Sequence, residues 1–213
     1  QDPESGMVTY FQGGRPGYMK LYNTPVDSFW CCTGTGMENH AKYADSIYFH
    51  EDGALYVNLF IPSVVTWDEQ AAIVTQRTDF PDIAGTSLHL NLKRPGNFDL
   101  KLRHPGWSRT AEVRVNGEVV TRSAQPASYI SVQRRWNDGD IVELKLDMRV
   151  AASPLAGAPD ILAFTYGPLV LAGALGNAGI APGSDIVVNE RNVGRYLDTP
   201  FEAPKLAGSP ESL

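Results

Sequence analysis

The chain has 213 residues, enough for one large β domain or for one domain plus part of another. Its composition, 43% hydrophobic and 20% charged, is that of an ordinary globular protein. A net charge of −6 and a pI near 5.2 argue against nucleic acid or a membrane surface as a partner and fit a neutral substrate such as a sugar.

Residues 1–28 are rich in Gly, Pro, Tyr and Asn and read as loop or extended chain. The opening Gln1–Gly6 is polar, lacks a signal-peptide core and does not begin with Met, so processing or truncation upstream is expected and no compartment is assigned. No apolar run approaches the ~20 residues of a membrane helix. After the cluster FWCCTGTG (29–36), Thr35 with Glu38 three positions on has capping-box spacing, and Met37, Ala41, Ala44 and Tyr48 share one apolar face. This predicts a helix of about three turns over 37–48.

From position 46 the period becomes two. Segments 54–61, 71–78, 86–92, 98–104, 111–117, 128–134 and 140–146 alternate apolar with polar residues and are separated by Gly-, Pro- and Asn-containing turns. Asn116-Gly117 is a type I′ hairpin signal. A longer apolar pair, 161–173, is broken at Gly167-Pro168. The fold class is therefore mainly β: an antiparallel, jelly-roll-like β-sandwich of roughly eight to ten strands, preceded by one short helix. Residues 177–213 lose periodicity and read as a tail or the start of a further domain. There is no internal repeat.

The chemistry centres on Cys31 and Cys32, which are the chain's two cysteines and are adjacent. Neighbours in sequence do not make a disulfide framework, so the pair is read as thiols, metal ligands or two small buried apolar residues. A thiolate is both a nucleophile and a zinc ligand, and a helix N-terminus favours it. Glu38 and His40 are also ligand types, but they lie two apart on a helix and diverge, so the segment does not build a closed site alone. Trp30, Trp67, Trp107 and Trp136 could stack on sugars, though in a sandwich such rings more often form core. His50, His89 and His104 show no evident Ser or Asp partner in the sequence, and no phosphate loop or dinucleotide fingerprint is present.

DSFWCCTGTGMENHAKYADSIYF (27–49) closely resembles the cysteine motif of the β-L-arabinofuranosidases of glycoside hydrolase families 127 and 146. LYVNLFIPS (55–63), RHPGW (103–107), VNGE (115–118), RRWNDGD (134–140) and FTYGPLVLAG (164–173) resemble the same family in the same order. The resemblance implies that 1–48 is the end of a catalytic α/α barrel and 49–176 a β-sandwich domain. It implies that Cys31 is the nucleophile and a zinc ligand, and that Cys32 is a second zinc ligand. It implies a retaining reaction through a thioglycosyl intermediate, with a carbohydrate substrate. In that family the other zinc ligands (a Glu and a Cys), the acid/base Glu and the sugar-binding histidines precede the motif. The chain alone is thus expected to be inactive and to hold zinc weakly or not at all, its partner being the missing N-terminal barrel.

Two readings compete. A piece of an arabinofuranosidase-type enzyme predicts exposed, unsupported cysteines and a large apolar patch where the barrel docks. A non-catalytic carbohydrate-binding or structural sandwich predicts a polar surface with coplanar exposed aromatics. A redox switch lacks the βαβ context.

Overall fold

The computed structural model describes residues 31–173 together with residues 4 and 6, the side chains of 31–33 excepted. Two compact units are distinguished: Tyr43–Ala172 with Leu213, and Gln1–Lys42 with Gly173–Ser212. In the second of these the described element is a helix, α1 (Cys31–Asn39). A 3-10 helix, His40–Ser46, follows it in the chain. The expected helix over 37–48 is corrected on both sides. Thr35 lies inside α1 and is no N-cap, and the α-helical period ends at Asn39, with Tyr48 already in a strand. Tightening to 3-10 geometry is a common ending for an α-helix. It also dissolves the proposed apolar stripe, and Met37 is 61% exposed. Among the described residues no helix is long and apolar enough to cross a membrane.

The larger unit is built from two facing sheets. One has the order β1 (Tyr48–Glu51), β2 (Ala54–Val57), β6 (Gly96–His104), β9 (Ser128–Trp136). The other runs β3 (Ser63–Trp67), β4 (Ala72–Arg77), β5 (Gly85–Leu92), β10 (Ile141–Leu146), β7 (Ala111–Val115), β8 (Glu118–Ser123). Neighbours are antiparallel except β2 and β6, which pair in parallel from Ala54↔Asp99 to Val57↔Leu102. A parallel pair needs a crossover, and here β3, β4 and β5 of the opposite sheet supply it.

Alternation decides which face is buried. On β6, Phe98, Leu100, Leu102 and His104 are buried while Asn97 and Arg103 face solvent. Partners come from the other sheet, including Val74, Leu88, Leu90, Val113, Val142 and Leu144, in one continuous core. Each fully buried Leu or Val contributes roughly 1.5–3 kcal/mol relative to exposure. Surface ion pairs such as Arg114–Glu112 are screened by solvent and contribute little, so the core dominates. Aromatic rings fill its middle: Trp67 meets Phe98 edge-on at 5.2 Å, and Phe98 stacks on Trp136 at 5.8 Å.

The expected strand 54–61 ends at Val57 instead. Beyond it, Leu59 and Ile61 give their carbonyls to the buried amide of Gln76, at 2.9 and 2.8 Å, and so leave the ladder. The Asn116-Gly117 turn forms as expected, with φ of 52° and 85°, both in the left-handed region that a type I′ turn demands. A third sheet, β11 (Val150–Leu155), β12 (Ala158–Tyr166), β13 (Leu169–Val170), carries the apolar pair broken at Gly167-Pro168. Residues 177–213 lie outside the described residues.

Candidate active site

Cys31 and Cys32 are the first two residues of α1. The first turn of a helix leaves backbone N–H groups without intrahelical partners and carries the positive end of the dipole. The cysteine side chains themselves lie outside the described residues. Glu38 sits late in α1 and His40 opens the 3-10 helix, both exposed. Among the described residues no three His, Cys, Asp or Glu side chains gather as a metal site. A tetrahedral zinc takes four donors, and the motif offers two sulfurs. Among the described residues, therefore, no complete zinc site is built.

The other sequence candidates fall mostly in the core. Trp136 and Trp67 are buried, and Trp107 packs against the core with its ring parallel to Phe80 at 6.1 Å. None of these three is a sugar platform. Trp30 lies outside the described residues. Two partly exposed rings do meet on the outer face of the four-stranded sheet, Tyr56 and Tyr129, but they cross at 85° and share no plane. His50 and His89 lie on β1 and β5.

His104 has the serine partner that the sequence did not reveal. Fully buried, its Nδ1 lies 3.0 Å from Ser123 Oγ and its Nε2 2.8 Å from the Ser108 carbonyl. The carbonyl can only accept, so Nε2 carries the proton, and in the neutral ring Nδ1 then accepts from the serine hydroxyl. With a carbonyl rather than a carboxylate behind it, this His joins β6 to β8 and lacks the orienting acid of a catalytic triad. The pairing comes from strand order, which residue spacing alone does not encode.

Perturbed titration marks a second cluster. Glu51 accepts from Lys101 Nζ and from the Tyr56 hydroxyl, each at 2.6 Å. Lys101 foremost, then Tyr56, holds the Glu51 carboxyl below its ordinary range, while Glu51 first, then the Tyr56 hydroxyl that accepts from Nζ at 2.7 Å, pushes Lys101 up. Glu112 is likewise lowered, first by Arg114 and then by Arg122. Burial pushes the Tyr48 phenol up, partly offset by its bond to Ser63. All four groups belong to salt links or partial burial in the sandwich, and of them Glu112 lines an open groove on the six-stranded sheet.

With that geometry in view, the comparisons decide the family. The model of the GH127 β-L-arabinofuranosidase catalytic domain matches residues 1–45, and that of the GH127 middle domain matches residues 54–148. The chain belongs to the GH127 family. Within GH127, α1 and both cysteines fall in the catalytic-domain match, and β2 to β10 fall in the middle-domain match. Three solved structures are similar. A GH127 β-L-arabinofuranosidase from Geobacillus stearothermophilus T6 is 29% identical, with 66% of this chain and 23% of that one covered and a TM-score of 0.60. A protein described as a glycoside hydrolase is 26% identical over 75% of this chain and 28% of its own, with a TM-score of 0.62. A GH127 β-arabinofuranosidase is 26% identical over 58% of this chain and 23% of its own, with a TM-score of 0.50. The chain thus spans about a quarter of the length of these structures. No curated protein matches.

Proposed function

We propose that this chain is the part of a retaining β-L-arabinofuranosidase that carries the nucleophile, Cys31, on the last described helix of the catalytic domain, followed by the middle-domain sandwich. The observation that carries the reading is the catalytic-domain match to residues 1–45, which contains both cysteines at the start of α1. A thiol there is favoured as thiolate by the helix dipole and by free N–H groups. The thiolate attacks the anomeric carbon of a β-L-arabinofuranoside. A C–S bond forms as the glycosidic C–O bond breaks, and the leaving oxygen takes a proton from an acid upstream of this chain. Water then attacks the same carbon, giving its proton back to that upstream group, the thiolate departs, and two inversions give retention. Cys31 and Cys32 are the two zinc ligands of this chain. The remaining donors belong to the preceding part of the catalytic domain, and by itself the chain holds zinc weakly.

The test is hydrolysis of p-nitrophenyl β-L-arabinofuranoside by this chain and by the protein extended upstream. Turnover is expected only in the extended form, and Cys31→Ser there should lower it by several orders of magnitude, as loss of a nucleophile does. Undiminished turnover in Cys31→Ser removes Cys31 from the chemistry. No activity in the extended form leaves a non-catalytic carbohydrate-binding or structural sandwich. A stoichiometric zinc that survives chelator on this chain alone would contradict the two-ligand count.

A further inference from the structure

The outer faces of the two sandwich sheets treat their polar groups differently. On the four-stranded sheet these groups bond one another: Glu51 with Lys101 and Tyr56, and Tyr129 with Asn58 at 2.7 Å. On the six-stranded sheet four side chains stand in one row, Arg77 opposite Ser87, Ser87 opposite Glu143, and Glu143 opposite Arg114. Strands about 4.8 Å apart make that row roughly 14 Å long. Arg114 turns to Glu112. Among the described residues, the Arg77, Glu143 and Lys145 side chains have no ion pair or hydrogen bond. The row lies in a groove of about 480 Å³, with Ile83, 61% exposed, along one wall. That volume is in the range of small-molecule sites, roughly 300–1,000 Å³.

The donor set selects the ligand. Arg77 and Lys145 only donate, while Glu143 and Asp79 only accept. An anion would meet three carboxylates, Asp79, Glu112 and Glu143, and a cation three basic groups, Arg77, Arg114 and Lys145. A chain of hydroxyls, each able to donate and accept, satisfies both kinds at once, and Ile83 offers a surface to its C–H face. We propose that this groove is a carbohydrate subsite for a short neutral oligosaccharide, held between Arg77 and Glu143. The proposal rests on the reading that the parent protein acts on glycans.

The experiment is titration of the isotope-labelled full chain with arabinotriose, followed by backbone amide NMR. Shifts at Arg77, Ser87, Glu143 and Arg114 should saturate together, and Glu143→Ala and Arg77→Ala should each weaken the affinity about tenfold or more. Both side chains are exposed, so unchanged near-ultraviolet circular dichroism certifies the fold. Absence of saturable shifts, shifts centred on Tyr56 and Tyr129, or wild-type affinity in both variants would each overturn the subsite. Hydrolysis of the aryl arabinofuranoside by the extended protein reports separately. If it proceeds while the groove stays silent, only the groove falls. If the groove binds and hydrolysis fails, only the catalytic reading falls.

Discussion

The sandwich and the three-stranded sheet that follows it both carry apolar strands and end in opposite states. Between Leu55 and Leu146, alternate apolar residues join one core. In β11 to β13 no apolar side chain is buried, and Val170 is 76% exposed. Alternation separates two faces, but burial requires a second layer to receive one of them. The sandwich has both layers within residues 48–146. The third sheet has one among the described residues. Stability should accordingly be unequal along the chain.

The largest test strikes the better-supported region. Trp136 is fully buried, stacks on Phe98, and donates Nε1–H to the Phe98 carbonyl at 3.0 Å. Trp136→Ala should cost about 3–5 kcal/mol through the cavity and lost transfer energy. Chemical denaturation should show the whole sandwich losing stability in one transition. A loss under about 1 kcal/mol would mean that the ring is not the keystone its burial implies.

Two glycines sharpen the contrast. A Cβ on Gly85 would land on the Leu144 carbonyl, backbone against backbone in the heart of the six-stranded sheet. Gly85→Ala should therefore force β5 and β10 apart at a cost of about 2–3 kcal/mol. At Gly167 φ is +54° and a Cβ would meet the Met148 side chain at 2.8 Å, a group that can rotate away. Gly167→Ala should cost about 1–2 kcal/mol from the left-handed backbone. Hydrogen exchange should confine that loss to the turn between β12 and β13 and leave the sandwich amides protected. Faster exchange in β5 and β10 of the Gly167 variant would show that the two regions unfold as one.

What the sequence made legible follows the same division. Period two located β4, β5, β6, β7, β9 and β10 to within one or two residues, because each has a buried face that fixes its phase. β3 and β11 escaped notice because Val64-Val65 and Pro154 blur the alternation. The helix starts earlier than expected because the Thr35–Glu38 spacing mimics a capping box, while Thr35 lies inside α1. Cys31 and Cys32 stood out through their rarity and the family motif. The His104–Ser123 pair and the Arg77–Glu143 row did not, since each is assembled by strand order across 19 and 66 positions of chain. No local period reports such order.

The smallest effect is electrostatic and separates surface links from core. Glu51 ionises more readily in the folded protein than in the unfolded chain, because Lys101 and Tyr56 bond its carboxylate. A depressed carboxyl contributes stability that is fully present above the unfolded value, about 4.3, and is lost as pH falls through the folded value. Glu51→Gln should thus lower the urea midpoint slightly at neutral pH. The difference should vanish in acid, where wild-type Glu51 is itself protonated. Salt should shrink it at neutral pH, since the pair is open to solvent. A difference that persists unchanged at low pH would assign the effect to packing of the Glu51 side chain against Tyr56 instead of to its charge.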